Sequence, residues 1–126
     1  MTIRHQEIKG YPVGSDFNVE RTVTSIVAGR TLARAWFTLK ALPTDVDPGV
    51  LQKVITPTPQ GGIGQITDTG ADQTGKVVFE FTAAQTALLV PGKRYFYDIQ
   101  LELDNGTDSQ FEDGIFRLHR RVTGAN

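Results

Sequence analysis

The chain has 126 residues, 39% of them hydrophobic, and its 13 basic and 14 acidic residues give a net charge of −1. This length favours one domain that can bury a core, and the near-zero charge gives no bulk attraction to nucleic acid or to an anionic membrane. Because cysteine is absent, disulfides, thiolate catalysis and cysteine metal sites are excluded.

The first segment differs from the rest of the chain. Residues 1–15 contain Gly10, Pro12 and Gly14 and no apolar stretch of the kind found in signal peptides. We predict an N-terminal arm or edge strand over residues 1–15, followed by a β-domain over residues 16–126.

Apolar and polar residues alternate with a period of two from residue 16 onward, which is typical of half-buried strands. Phe17, Val19 and Val23 share one face of the first of these strands. Residues 31–41 could form a helix, since Leu, Ala, Arg and Lys are good helix formers. The central Ala-Trp-Phe-Thr and the alternating charges favour a strand instead, with one face made of Ala33, Ala35, Phe37 and Leu39.

Further strands are predicted over residues 50–56, 62–67, 76–82, 94–103 and about 111–122. Asn105-Gly106 is a strong hairpin signal, and Gly114 is a candidate bulge in the last strand. We expect one shared core that contains Phe79, Phe81, Tyr97, Ile99 and Leu101. The total of about seven short strands predicts an all-β fold, an immunoglobulin-like antiparallel β-sandwich.

One motif supports this fold. Leu89, Pro91, Gly92 and Tyr95 follow the L-x-P-G-x-x-Y spacing of fibronectin-type sandwiches. In that arrangement, the tyrosine corner, the tyrosine begins a strand and its hydroxyl bonds to the backbone of the preceding turn. We therefore assign Tyr95 a structural role.

No nucleophile and base can be paired from the sequence, so we expect no enzyme, no cofactor and no metal. His119 shares strand parity with Arg117 and Arg121, which predicts a solvated strand end; a phosphate contact by these arginines and Arg120 is the alternative. Acidic pairs in the loops could bind calcium or could cap their own turns: Asp45 with Asp47, Asp68 with Asp72, and Asp104 with Asp108.

Two large aromatic residues fall on the polar side of their strands. Trp36 alternates with the core residues of its strand beside Arg34 and Lys40, and Phe96 does so in the strand 94–103. Exposed aromatic residues are enriched at protein interfaces. We predict an interface formed by Trp36, Phe96, Arg34 and Lys40; cover by the arm or a long loop is the alternative.

Several stretches together resemble small virion proteins of tailed bacteriophages, including the immunoglobulin-like N-terminal domain of baseplate upper proteins. They are residues 16–41, 64–82, 88–106 and 114–123. The resemblance implies a non-enzymatic capsid decoration (cement) protein or a small tail, baseplate or neck protein. It would be made in the host bacterial cytoplasm and located in the virion, as a homo-oligomer bound to other capsid or tail proteins. The alternative is a carbohydrate- or receptor-binding module of a host-recognition device.

Overall fold

The computed structural model describes residues 4–24, 26–47 and 49–120. The described part contains eight strands and one short helix. In chain order they are β1 (Arg4–Ile8), β2 (Phe17–Val23), β3 (Leu32–Lys40), β4 (Leu51–Ile55), β5 (Gly64–Asp68), β6 (Gly75–Phe81), α1 (Ala83–Thr86), β7 (Tyr95–Leu103) and β8 (Asp108–Phe116). In these ranges, no helix is long and apolar enough to cross a membrane.

The strands form two sheets, one of five strands in the order β1-β8-β7-β3-β4 and one of three in the order β2-β6-β5. They pack as a sandwich and do not close into a barrel. The three-stranded order, packed against β3-β7-β8, matches the B-E-D and C-F-G strands of immunoglobulin domains. The predicted all-β sandwich is confirmed, and the helix alternative for residues 31–41 is wrong.

Two details of the prediction change. The described chain has eight strands instead of about seven, because residues 4–8, in the segment predicted as an arm or edge strand, form the edge strand β1. The sandwich is also not wholly antiparallel, since β1 pairs in parallel with β8. The parallel direction is possible because the chain passes from β1 to β2 in the other sheet, so no hairpin has to join β1 to its partner β8.

The core between the sheets is rich in aromatic rings. Phe37 stacks on Tyr97 with ring centroids 5.2 Å apart, and it meets Phe79 at 5.5 Å and Phe81 at 5.0 Å. The inward parity predicted for Phe79, Phe81, Tyr97, Ile99 and Leu101 is confirmed, since all five are buried in one cluster. Burying each such side chain contributes about 1.5–3 kcal/mol to the free energy of folding. The inward residues of the alternating strands are therefore the main source of the free energy that stabilises this fold.

The β7–β8 hairpin turns at Asn105-Gly106 as predicted, but β8 begins at Asp108 and ends at Phe116, not at 111 and 122. The predicted bulge at Gly114 is wrong, because Gly114 pairs in register with Tyr97. The register shifts between Ile99 and Gln100 instead, so Phe111 is the extra residue of β8. Val122 of the predicted strand lies outside the described residues.

Candidate protein interface on the outer sheet face

The outer face is the side of the five-stranded sheet that points away from the core. Its centre comes from two neighbouring strands, in which Trp36 pairs with Gln100, Thr38 with Asp98 and Lys40 with Phe96. Their sequence neighbours point inward, as the buried Phe37 and Ile99 show. Both predicted interface aromatics therefore lie on the outer face.

Trp36 is half-buried on this face because neighbouring side chains cover part of the indole. The Arg34 guanidinium lies 5.6 Å from the centre of the indole ring, and its Nε donates to Glu102 Oε1 at 2.7 Å. Val54, the cross-strand partner of Trp36, is 36% exposed. Trp36, Arg34 and Val54 thus form an apolar surface with a charged border.

Phe96 lies about 14 Å further along the strands, at 3.4 Å per residue. It pairs with Lys40 on one side and Ile115 on the other, and it lines a surface pocket of ≈ 360 Å³. Pro43, from the loop between β3 and β4, lines the same pocket, and Lys40 Nζ lies 3.1 Å from Asp47 Oδ1. Phe96 is half-buried, and the loop that carries Pro43 lies beside it. The alternative to an interface, cover by a long loop, therefore applies to Phe96 in part.

Two carboxylates stand side by side in this pocket, because Asp98 and Asp113 are cross-strand partners. Asp113 contacts Nδ1 of His5 and accepts from Gln110 Nε2 at 3.1 Å. Among the described residues, Asp98 has no ion pair within 4.0 Å, and burial raises the pKa of its carboxyl. The pocket therefore pairs an aromatic wall with an acidic side that favours a cationic group.

Exposed apolar side chains also lie in the loops at the Phe96 end of the sandwich. In the loop between β3 and β4, Leu42 is 59% exposed, Val46 82% and Val50 48%. Leu88 and Val90, between α1 and β7, lie at the same end of the sandwich and are also exposed. Sequence reasoning missed this group because loop residues follow no period. An apolar loop next to the Phe96 pocket enlarges the surface that a partner could cover.

The tyrosine-corner residues lie at this same end. The Val90 backbone N–H donates to the Tyr95 hydroxyl oxygen at 3.0 Å, which is the bond that the motif predicts. The Gly92 N–H donates to the Leu118 carbonyl at 2.7 Å, and Leu89 is buried in the core. These bonds hold the turn before β7 and so position Phe96 on its strand.

The remaining predicted residues are not brought together. His119 is exposed, Arg117 pairs with Glu7 at 3.0 Å, and Arg121 lies outside the described residues. Several loop acids cap their own turns: Asp45 accepts from Leu42 N, Asp68 from Gly70 N and Asp72 from Thr74 N. In the part of the chain that the structure describes, no three His, Cys, Asp or Glu residues are grouped to hold a metal ion.

A buried polar cluster was not predicted. Glu112 is fully buried between the sheets, where it accepts from Arg21 Nε at 2.7 Å and from the Tyr97 hydroxyl. Burial, with the hydrogen bond and charge of Glu112, raises the pKa of Tyr97, so its hydroxyl keeps its proton. The bulge at Phe111 explains the cluster, because it turns both Phe111 and Glu112 inward.

Comparisons with known proteins identify no relative. No protein-family model matches the chain, and no curated protein matches its sequence. The fold assignment therefore rests on the strand topology, and the likeness to phage virion domains stays a hypothesis drawn from sequence motifs.

Proposed function

We propose that the chain is a non-enzymatic structural component of a tailed-phage particle. It would serve as a capsid decoration (cement) protein or as a small tail, baseplate or neck protein, located in the virion. It acts by binding neighbouring virion proteins through the outer face. The observation that carries the proposal is the pair of half-buried aromatics, Trp36 and Phe96, on the side of the five-stranded sheet that points away from the other sheet.

The composition of this face suits assembly. Interfaces combine an apolar centre with a polar rim, and Trp and Arg are enriched among the residues that dominate binding energy. Here Trp36 lies between the exposed Val54 and the guanidinium of Arg34, and Lys40 borders Phe96. Because these side chains stand on paired strands, their backbone is already ordered, and little backbone entropy is lost when a partner covers them.

The assignment to a phage particle depends on the sequence resemblance, since an immunoglobulin-like sandwich hosts many unrelated functions. What supports it is the coincidence of the resembling segments with structural features. Residues 16–41 contain β2 and β3, and residues 88–106 contain the tyrosine corner and β7. The resemblance therefore includes the two strands that form the centre of the outer face.

The test is particle binding by a Trp36→Ser variant, measured by co-sedimentation with particles that lack the protein. We expect at least about tenfold weaker binding, because a central interface tryptophan is worth about 2 kcal/mol or more. The free energy of unfolding should change by about 1 kcal/mol or less, since Trp36 lies outside the core.

The matched control is Val78→Ser, which alters a half-buried residue on the outer side of the three-stranded sheet. This variant should bind particles as the unmodified chain does. A folded Trp36→Ser chain that still binds normally would refute the role of this face. If the variant unfolds, Phe96→Ser tests the same face from a different strand.

A second candidate function is carbohydrate or receptor binding, and the Phe96 pocket is the observation that favours it. An aromatic ring beside the Asp98 and Asp113 carboxylates and the Gln110 amide could stack on a sugar ring and bind its hydroxyls. Calorimetric titration with host-surface oligosaccharides tests this function. Binding that Phe96→Ala abolishes would support it, and absence of binding by the unmodified chain would refute it.

A further inference from the structure

The outer face of β7 carries its charges in an ordered row. Arg94, Phe96 and Asp98 are spaced two residues apart, so they share one face of an extended chain. Tyr95, between the first two, is buried at 5% exposure, and Arg94 immediately before β7 is exposed. A basic, an aromatic and an acidic side chain thus follow one another at intervals of about 7 Å.

The neighbouring strand repeats this order. Phe96 pairs with Ile115 and Asp98 with Asp113, and the pairing of Tyr95 with Phe116 brings Arg94 level with Arg117. The face therefore has three rows across its strands. The basic row is Arg94 and Arg117, the apolar row is Phe96 and Ile115, and the acidic row is Asp98 and Asp113.

The charges at the two ends of the β7 row have no close ion-pair partner among the described residues, although Asp98 hydrogen-bonds the Gln100 side chain and is attracted by Lys40. In the described ranges, neither Arg94 nor Asp98 has an ion pair within 4.0 Å, whereas most acids and bases on the sheets do. Asp98 lies partly enclosed in the pocket, where an incoming cation would be poorly screened by water. The row therefore presents a cation and an anion, neither in an ion pair within 4.0 Å among the described residues, on either side of an apolar centre.

Such a row is complementary to itself. A second copy, rotated by half a turn about an axis that runs across the strands through the apolar row, lays its β7 antiparallel over the first. Its Phe96 then meets Phe96, its Arg94 meets Asp98, and its Asp98 meets Arg94. Lys40 of one copy would face Lys40 of the other. Each is already paired with Asp47 of its own chain, whose Oδ1 lies 3.1 Å from Lys40 Nζ. This is the isologous geometry of a twofold dimer.

We propose that the outer face binds a second copy of this chain as a twofold dimer, in which Arg94 of each copy pairs with Asp98 of the other around Phe96. The inference rests on the proposed function, because it names a partner for the same face. Face-to-face packing of two sheets at about 10 Å is a common arrangement in β proteins. Dimerisation also buries the pair of Phe96 rings and the Ile115 side chains.

The test exchanges the charges in purified protein and measures mass by sedimentation velocity and native mass spectrometry at low salt. The unmodified chain should dimerise, and added salt should weaken the dimer. Arg94→Glu and Asp98→Arg should each be monomeric, with self-association at least about tenfold weaker, because like charges then face each other. An equimolar mixture of the two variants should form a heterodimer, since each acidic face then meets a basic one.

The control is Lys76→Glu, which makes the same charge change as Arg94→Glu but on the outer side of the three-stranded sheet. It should leave the dimer intact. A monomeric unmodified chain, or a mixture of the two variants that stays monomeric, would overturn the dimer. If the unmodified chain is monomeric and still sediments with particles, the proposed function stands and the dimer alone is refuted. A dimer that obeys the charge exchange but never binds particles supports this inference and refutes the proposed function.

Discussion

At the scale of single residues, Tyr95 shows how one side chain fixes the chain entering β7. Its ring is buried and its hydroxyl accepts from Val90 N–H at 3.0 Å. Tyr95→Phe keeps the ring and removes one net hydrogen bond, so we expect unfolding to become easier by about 0.5–1.5 kcal/mol. Urea denaturation measures this change, and an unaltered midpoint would show that the bond contributes nothing.

Lys53 is a second residue whose environment has a measurable consequence. It lies on the core side of β4, where Nζ donates to the Gly62 carbonyl at 2.9 Å and to Gln85 Oε1 at 2.8 Å. Burial lowers the pKa of Lys53 from 10.5 to about 8. Between these values the unfolded chain holds a proton that the folded chain has lost, so stability should rise with pH in this window.

The expected gain is on the order of 1–3 kcal/mol between pH 8 and pH 10. Thermal or urea unfolding at a series of pH values measures it, with Lys53→Met as the control that cannot titrate. The rise should be absent from that variant. If both proteins follow the same pH profile, the proton on Lys53 is not linked to folding.

At the scale of elements, β1 is held by few buried side chains, since Ile8 alone among its residues is buried. Its parallel pairing with β8 requires glycine at position 114, because a Cβ there would overlap the carbonyl oxygen of Gln6. Gly114→Ala should therefore detach β1 and leave the other strands folded. Hydrogen exchange would show rapid exchange of the β1 amides, with protection kept in β6 and β7.

Gly61→Ala is the matched control, because a Cβ at Gly61 meets no atom within 4 Å. It should leave the exchange of β1 unchanged. Normal protection of β1 in the Gly114→Ala chain would contradict the steric argument. Unfolding of the whole domain would instead mean that β1 is an integral part of the sandwich.

The elements also show which signals the sequence carries. Alternation placed β2, β6 and β7 on the correct faces, because a half-buried strand must repeat every two residues. In β3 it is correct from Arg34 onward; the register shifts between Leu32 and Arg34, so Leu32 is buried and Ala33, predicted on the core face, only partly so. Helix α1 was missed, although Thr82 and Gln85 form its capping box. The bulge was assigned to Gly114 because glycine is common at bulges. Its true place depends on the register against β7, which one strand alone does not encode.

At the scale of the molecule, the candidate interface was predictable only in part. Parity alone put Trp36 and Phe96 on one side of their strands, and the sheet order then made them part of a single face. The Phe96 pocket needs Pro43 from a distant loop, and the pairing of Asp98 with Asp113 needs the β7–β8 register. Contacts of this kind arise from tertiary structure and leave no local pattern.

The cluster of Glu112, Arg21 and Tyr97 acts on the whole molecule because it joins the two sheets across the core. Glu112 comes from β8 and Tyr97 from β7, whereas Arg21 comes from β2 of the opposite sheet. Glu112→Gln keeps the shape and removes the charge, which leaves Arg21 without its anion. We expect the free energy of unfolding to fall by about 3 kcal/mol. This is the lower end of the usual range, because 20% of the Arg21 side chain is exposed.

A triple variant separates the lost charge from lost packing. Arg21→Met, Glu112→Leu and Tyr97→Phe together remove the charges and the hydroxyl of these three side chains and keep similar volumes; Arg4, 3.8 Å from Glu112 Oε1, keeps its charge, but its side chain is 44% exposed to water. Replacing a complete buried ion pair by apolar residues is often neutral or stabilising, so this variant should be more stable than Glu112→Gln. Urea denaturation of both variants decides the matter. If the triple variant is the less stable of the two, packing around these side chains, and not the unpaired arginine, is what joins the two sheets.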